Sequence, residues 1–223
     1  MPYRIKPIVT GNYYHIFNRG IDKRLIFQDV RDYRRFLEVA YYYQWPNTRL
    51  RYSMFKLLSK EAKFRLFEKM KDDSFTSVSL LCFALLPNHF HFIIKQSIDG
   101  GISKFMKNLS DSYTRYFNIK YKRLGPLFQG QFKAVHVDKE DQLLILSRYI
   151  HLNPLISAVV DSKANLYKYP WSSLPQYLHI TDGICNITEI KKKFTSVEQF
   201  RKYLEDQKDY DSKMEGIKHL ILE

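Results

Sequence analysis

The chain has 223 residues, 36 Lys and Arg against 23 Asp and Glu, a formal net charge of +13 and 16% aromatic residues. That length fits one domain with a sizeable core plus appendages. The charge disfavours a basic partner and points to nucleic acid, whose phosphates meet the cations and whose unpaired bases stack on flat rings. Two widely separated cysteines, Cys82 and Cys185, exclude a cysteine zinc cluster and a disulfide framework. No apolar run is long enough to span a bilayer, and the first residues lack the pattern of a signal peptide, so a cytoplasmic location is expected.

Residues 12–19 (NYYHIFNR) read as a strand ended by Gly20. Val30 to Gln44 reads as a helix, with Phe36, Val39, Ala40 and Tyr43 at helical spacing. A second amphipathic helix is expected over 54–70, inside a helical insertion at about 50–72. The β-rich run 76–86 and the strand 89–95 flank Pro87-Asn88, a link too short for a crossover, so the two strands pair antiparallel. Gly100-Gly101 opens a helix over about 102–120. A strand follows at 131–137. Asp138 is a candidate N-cap for a helix through Asn153, which Pro154 would stop. Ser196 and Gln199 form a capping-box pattern for a last helix at about 197–207.

This order predicts an α+β fold: a mainly antiparallel sheet with helices on one face. Residues 1–160 form the expected main domain, and 161–223 a C-terminal extension. Its aromatic, turn-rich segment YKYPWSSLPQYL is expected to pack back onto that domain.

Three features suggest chemistry. In LLPNHFHFIIKQ, His89 and His91 share one face of a strand, because strand side chains alternate with period two. Two imidazoles so placed can ligate one divalent ion, although such a pair is often only surface. In SRYIHLNP, Tyr149 and Asn153 are four residues apart and share a helix face. An amide oxygen can complete a site for Mg²⁺ or Mn²⁺. A phenol can attack phosphorus once a metal or base helps it, its ordinary pKa being about 10. Tyr113 and Tyr116 are alternative nucleophiles, while His151 should face away from Tyr149. From Gly101 to Val135 the cations Lys104, Lys107, Arg115, Lys120, Lys122, Arg123 and Lys133 interleave with aromatics, and Asp111 is the one acid. That composition suits a nucleic-acid groove. His15 and Arg19 in the first strand are further candidates for phosphate contact.

Taken together, LLPNHFHFIIK, GPLFQGQFKAVHV, YIHLNP and YPWSS resemble the IS200-like transposases, and within them the REP-associated tyrosine transposases of the HUH endonuclease superfamily. The resemblance covers about residues 10–178. It implies a ferredoxin-like fold with the histidine strand mid-sheet and the tyrosine helix beside it. It implies that His89, His91 and Asn153 hold Mg²⁺ or Mn²⁺. Tyr149 would then attack single-stranded DNA beside a hairpin, giving a 5′-phosphotyrosine link and a free 3′-OH without ATP. A homodimer is possible within such a superfamily. The alternatives are a non-catalytic hairpin or single-strand DNA-binding relative and an RNA-binding module of similar shape.

Overall fold

The computed structural model describes residues 7–46, 48, 50–72, 75–206 and 214–221. The first strand, β1 (Tyr13–Arg19), leads through a short 3-10 turn (Ile21–Lys23) to α1 (Val30–Tyr42). The helices α2 (Tyr52–Leu57) and α3 (Lys60–Asp72) precede the hairpin of β2 (Val78–Leu86) and β3 (His89–Gln96). Then come α4 (Gly101–Lys120), β4 (Lys133–Val137) and α5 (Glu140–Ile156). Short helices follow: α6 (Lys163–Tyr167), α7 (Leu174–Tyr177), α8 (Thr188–Lys191) and α9 (Val197–Glu205). A 3-10 turn at Glu215–Leu220 closes the described chain.

The sheet order is β2-β3-β1-β4, and every pairing is antiparallel. With α1 and α4 as the two crossovers this is the β-α-β-β-α-β ferredoxin-like arrangement, with α2 and α3 inserted after α1. The histidine strand β3 is an inner strand, as the resemblance implies.

Helices cover both faces of the sheet, where one covered face was expected. Tyr14, Ile16, Phe90, Phe92 and Ile94 pack on Phe36, Val39, Phe105 and Leu109 of α1 and α4. The opposite face offers Leu81, Cys82, Ala84, Leu86 and Ile93 to Leu146 and Ile150 of α5 and to Leu174, Tyr177 and Phe200 of the C-terminal helices. The unbroken apolar run LLCFALL, Leu80 to Leu86 of β2, is the sequence signal of a strand buried on two sides. A bulge between Leu80 and Cys82 keeps both sides in register.

The segment YPWSS does pack back, and it covers the outer edge of β2. Leu85 N–H donates to Trp171 O at 2.8 Å, Ser173 N–H donates to Phe83 O at 3.0 Å, and the Tyr169 hydroxyl donates to Leu85 O at 2.8 Å. A strand edge left open would invite pairing with other chains.

Three helix boundaries differ from expectation. The expected single helix at 54–70 is two, because Leu58 is extended and Ser59 starts a new turn by accepting Ala62 N–H at 3.2 Å. Asp138 does not cap α5; its carboxylate meets His136 Nδ1 at 2.5 Å, and Lys139 holds the cap position. Pro154 lies inside α5, which runs on to Ile156. Its ring removes one late hydrogen bond, and Ser157 N–H still reaches Asn153 O at 2.8 Å. At α9, Ser196 accepts Gln199 N–H at 3.1 Å, but the Gln199 side chain takes Thr195 N–H instead of closing the box. Residue 207, the expected end of that helix, and 207–213 of the basic C-terminal stretch lie outside the described residues.

Candidate active site

Register places the site. In the β1–β3 ladder, Arg19 is opposite His89, Phe17 opposite His91 and His15 opposite Ile93, while β4 sets Lys133 opposite Phe17. These side chains share the face that carries α5. On that face the His91 ring meets the Tyr149 ring edge-on, with centroids 5.8 Å apart. His89 and His91 are likewise edge-on at 5.1 Å. Tyr149 is 8% exposed and His91 fully buried. Both halves of this meeting come from one chain.

Three hydrogen bonds set the tautomers of the pair. His15 Nδ1 lies 2.5 Å from Leu220 O. A carbonyl only accepts, so this nitrogen carries a proton, and in the neutral ring Nε2 is the acceptor. That Nε2 accepts from His91 Nδ1–H at 3.0 Å. The Nε2 of His91 is then the lone-pair nitrogen. His89 Nδ1–H donates to Asn88 Oδ1 at 2.6 Å, which leaves its Nε2 as the lone-pair nitrogen too. Neutral imidazoles fixed through Nδ1 are the form that ligates a metal through Nε2. The donor set therefore fits a divalent cation.

Among the described residues no group of three or more His, Cys, Asp or Glu could hold a metal. A third protein ligand has to come from another residue type. Asn153 is 3% exposed and lies one turn beyond Tyr149 on α5. Its Oδ1 accepts the Ser157 hydroxyl at 3.1 Å.

His15 is fully buried behind His91 and stacks on Phe17 at 4.7 Å. It is a positioning residue rather than the phosphate contact expected of it. A lone histidine in a strand carries no sequence sign of this, since its partner Leu220 is 205 residues away. His151 faces elsewhere, as its spacing implies: its Nε2 is 2.9 Å from Ser173 Oγ, and burial pushes its pKa down to about 3. Tyr113 is a core residue of α4 whose hydroxyl donates to Ile26 O at 2.5 Å, and burial holds its pKa far above the usual phenol value. Tyr116 donates to Asp32 Oδ1 at 3.1 Å. Neither alternative tyrosine reaches the histidines.

The expected basic groove divides in two. Arg19 and Lys133 stand at the rim of a cavity of about 350 Å³ that opens beside the histidines, and Lys23, Asn18 and Gln129 join them. Lys133 Nζ stands 5.5 Å from the centre of the Phe17 ring. The other cations lie on α4 and the loop after it, and α4 packs on the opposite face of the sheet. Arg115 and Lys122 are exposed there. Lys104 Nζ donates to Pro46 O at 3.0 Å, and Lys107 pairs with Asp111 at 2.7 Å. Arg123 sits over the Phe117 ring at 5.7 Å.

Lys120 is inside the protein rather than on that surface. Its Nζ is 2.8 Å from Asp29 and 2.5 Å from the fully buried Asp32. Burial opposes its charge, but these carboxylates outweigh that and raise its pKa. Asp32 also accepts Gln28 N–H, Tyr121 OH and Tyr116 OH at 2.8, 2.7 and 3.1 Å. The scarcity of acids near Lys120 in sequence was misleading, because its acids come from α1.

Comparison with known proteins bears on the family and the fold. Residues 46–153 match the family described as "Transposase IS200 like". The span contains His89, His91, Tyr149 and Asn153. No curated protein matches the chain. A similar solved structure is described as "Structure of the REP associates tyrosine transposase bound to a REP hairpin". It superposes with a TM-score of 0.53 at 15% identity, covering 82% of this chain and 94% of that one. The motif resemblance is thus met by a family match, and the ferredoxin-like architecture by a solved fold.

Proposed function

We propose that this IS200-like transposase chain is a metal-dependent endonuclease and strand transferase acting on single-stranded DNA beside a hairpin. The observation that carries the reading is the edge-on meeting of Tyr149 with His91, whose tautomer is fixed for ligation. In this reading His89 and His91, with Asn153 as third ligand, hold Mg²⁺ or Mn²⁺. When bound, the ion supplies charge stabilisation at the scissile phosphate and at the departing 3′-oxygen. The Tyr149 hydroxyl attacks phosphorus. A tyrosine O–P bond forms as the P–O3′ bond breaks, the phenol proton leaves to solvent, and the 3′-oxygen takes one up. The 5′-phosphotyrosine link keeps the energy of the broken bond, so a 3′-OH can reverse the step and rejoin DNA. His15 holds His91 in place, and Arg19 and Lys133 bring the phosphates to the cavity.

A hairpin-bound structural neighbour and a strongly basic chain support a DNA partner. Within the proposal, residues 1–160 form the catalytic unit and 161–223 an extension that packs on it. Among the described residues no helix is long and apolar enough to cross a membrane.

The test is a denaturing gel of protein incubated with labelled hairpin-bearing single strands and Mn²⁺. A covalent band is expected for the native chain and for Tyr113→Phe. It should vanish with Tyr149→Phe, with His89→Ala and with EDTA. Salt-sensitive binding without any covalent band would leave a DNA-binding protein and remove the enzyme.

A further inference from the structure

The cavity beside the histidines has a wall that the proposed chemistry uses only through Arg19. It is built by β1 and by the segment 127–130, which runs antiparallel to the end of that strand. Gln129 N–H donates to Arg19 O at 2.8 Å, Ile21 N–H donates to Leu127 O at 3.0 Å, and Gly20 bridges to Phe128. Gly20 also lets the turn after β1 fold back tightly, since a Cβ there would lie 2.2 Å from Arg24 O. The buried side chain of Asn18 ties the two pieces together. Its Oδ1 accepts Arg19 N–H at 2.9 Å, and its Nδ2 donates to Gly130 O at 3.3 Å. Gly130 turns the chain there with φ of +68°. A wall held by backbone hydrogen bonds from both sides is pre-organised for recognition.

On this wall Arg19 Nε donates to Gln129 Oε1 at 2.8 Å. That bond turns the acceptor of the glutamine side chain toward the guanidinium and uses one of its two lone pairs. What the pair offers outward is its donors: the amide NH₂ of Gln129 and the terminal nitrogens of Arg19. Glutamine with both groups available pairs with adenine, which needs an acceptor beside a donor. An all-donor array matches the O6 and N7 acceptors of guanine. Phe17 provides an aromatic wall. Arg19, Lys23 and Lys133 surround the opening, and among the described residues no carboxylate lines it. The volume of about 350 Å³ is at the small end for ligand sites and suits a single nucleotide.

We propose that this cavity is a one-nucleotide subsite in which Gln129 and Arg19 read the base next to the scissile phosphate and select guanine over adenine. The inference rests on the proposed reaction only for its placement beside the cut. Base preference would then be set partly by the protein, at a position set by the histidines.

The test is binding of dGMP, dAMP, dCMP and dTMP to the full chain without metal, followed by NMR. About tenfold tighter binding of dGMP than dAMP is expected, the discrimination of one good donor–acceptor match. The difference should fall within twofold in Gln129→Ala and persist in Lys122→Ala. Gln129 is exposed, so its truncation leaves the core intact. Equal binding of dGMP and dAMP, no binding of any nucleotide, or a preference that survives Gln129→Ala would overturn the subsite. Neither Tyr149 nor metal enters this measurement. Guanine selectivity without a covalent adduct would therefore refute the catalytic reading alone, and an adduct without selectivity would refute the subsite alone.

Discussion

Replacing His15 with Phe tests the tautomer argument directly. The ring packing should survive, because His15 already stacks on Phe17 at 4.7 Å with planes 27° apart. What is lost is the acceptor for His91 Nδ1–H. His91 is fully buried, so that N–H either stays unsatisfied or its proton moves to Nε2, the nitrogen a metal needs. Loss of such a supporting partner costs about 10- to 100-fold in metal affinity, or about 1.4 to 2.8 kcal/mol at 1.4 per decade. The Leu220 carbonyl also loses its donor, which costs stability of about 1 kcal/mol. The assay is a calorimetric titration of the folded apo chain with Mn²⁺, checked by the spin-resonance signal of free Mn²⁺. His15→Gln places an amide oxygen near the former Nε2 and should recover most of the affinity. If folded His15→Phe binds Mn²⁺ within twofold of the native chain, the hydrogen-bond chain does not govern the site.

Three further outcomes concern titratable and charged side chains. His151 has a folded pKa of about 3 against 6.5 for the free side chain, so between those values the unfolded chain binds the extra proton. Its contribution is complete above pH 6.5 and is lost as pH falls toward 3, at up to about 1.4 kcal/mol per pH unit; urea midpoints should show this slope, and His151→Gln should flatten it. Lys120→Ala should lower stability by about 3 kcal/mol, since it strips a cation from buried Asp32, with little change in the salt dependence of DNA binding. Exposed Lys122→Ala should do the reverse wherever Lys122 meets phosphate, reducing the slope of log K against log salt by about 0.7 with stability unchanged.

Much of the fold was legible because its signals are local. The alternation through His89-Phe90-His91-Phe92 gave β3 its two faces, and the spacing of Tyr149 and Asn153 gave α5 its functional side. The run LLCFALL also held the sign of two-sided burial, although strand periodicity was the more visible feature. The break at Ser59 was readable as an N-cap ahead of Glu61, but the amphipathic pattern continues across it and hides it. Pro154 misled because a proline in the last turn is tolerated, whereas the same residue mid-helix loses a donor and its ring clashes with the preceding turn, kinking or breaking the helix. The rest was non-local. Lys120 finds Asp29 and Asp32 on another helix, and His15 depends on a carbonyl near the C-terminus. Such pairings are set by three-dimensional closure, and no spacing in the sequence encodes them.

The same closure bears on which chain completes the site. The tyrosine helix could in principle serve a second copy. Here α5 is anchored within its own chain. It packs on β2, β3 and β4, and the guanidinium of buried Arg148, next to Tyr149, donates to Leu204 O at 3.3 Å and to Asp206 O and stands 4.8 Å from the Tyr203 ring. Exchange between copies would strip that guanidinium of its carbonyls and expose the apolar face under Leu146 and Ile150. Those costs argue for completion in one chain. Mixing Tyr149→Phe with His89→Ala decides the matter: each lacks one half of the site, and a shared site would restore up to a quarter or so of the native adduct at equal mixing. No adduct is expected from the mixture at any ratio, while each variant mixed with native chain should simply dilute it. Recovery of the covalent band would show that α5 crosses to a partner and that its anchoring by Arg148 is not decisive.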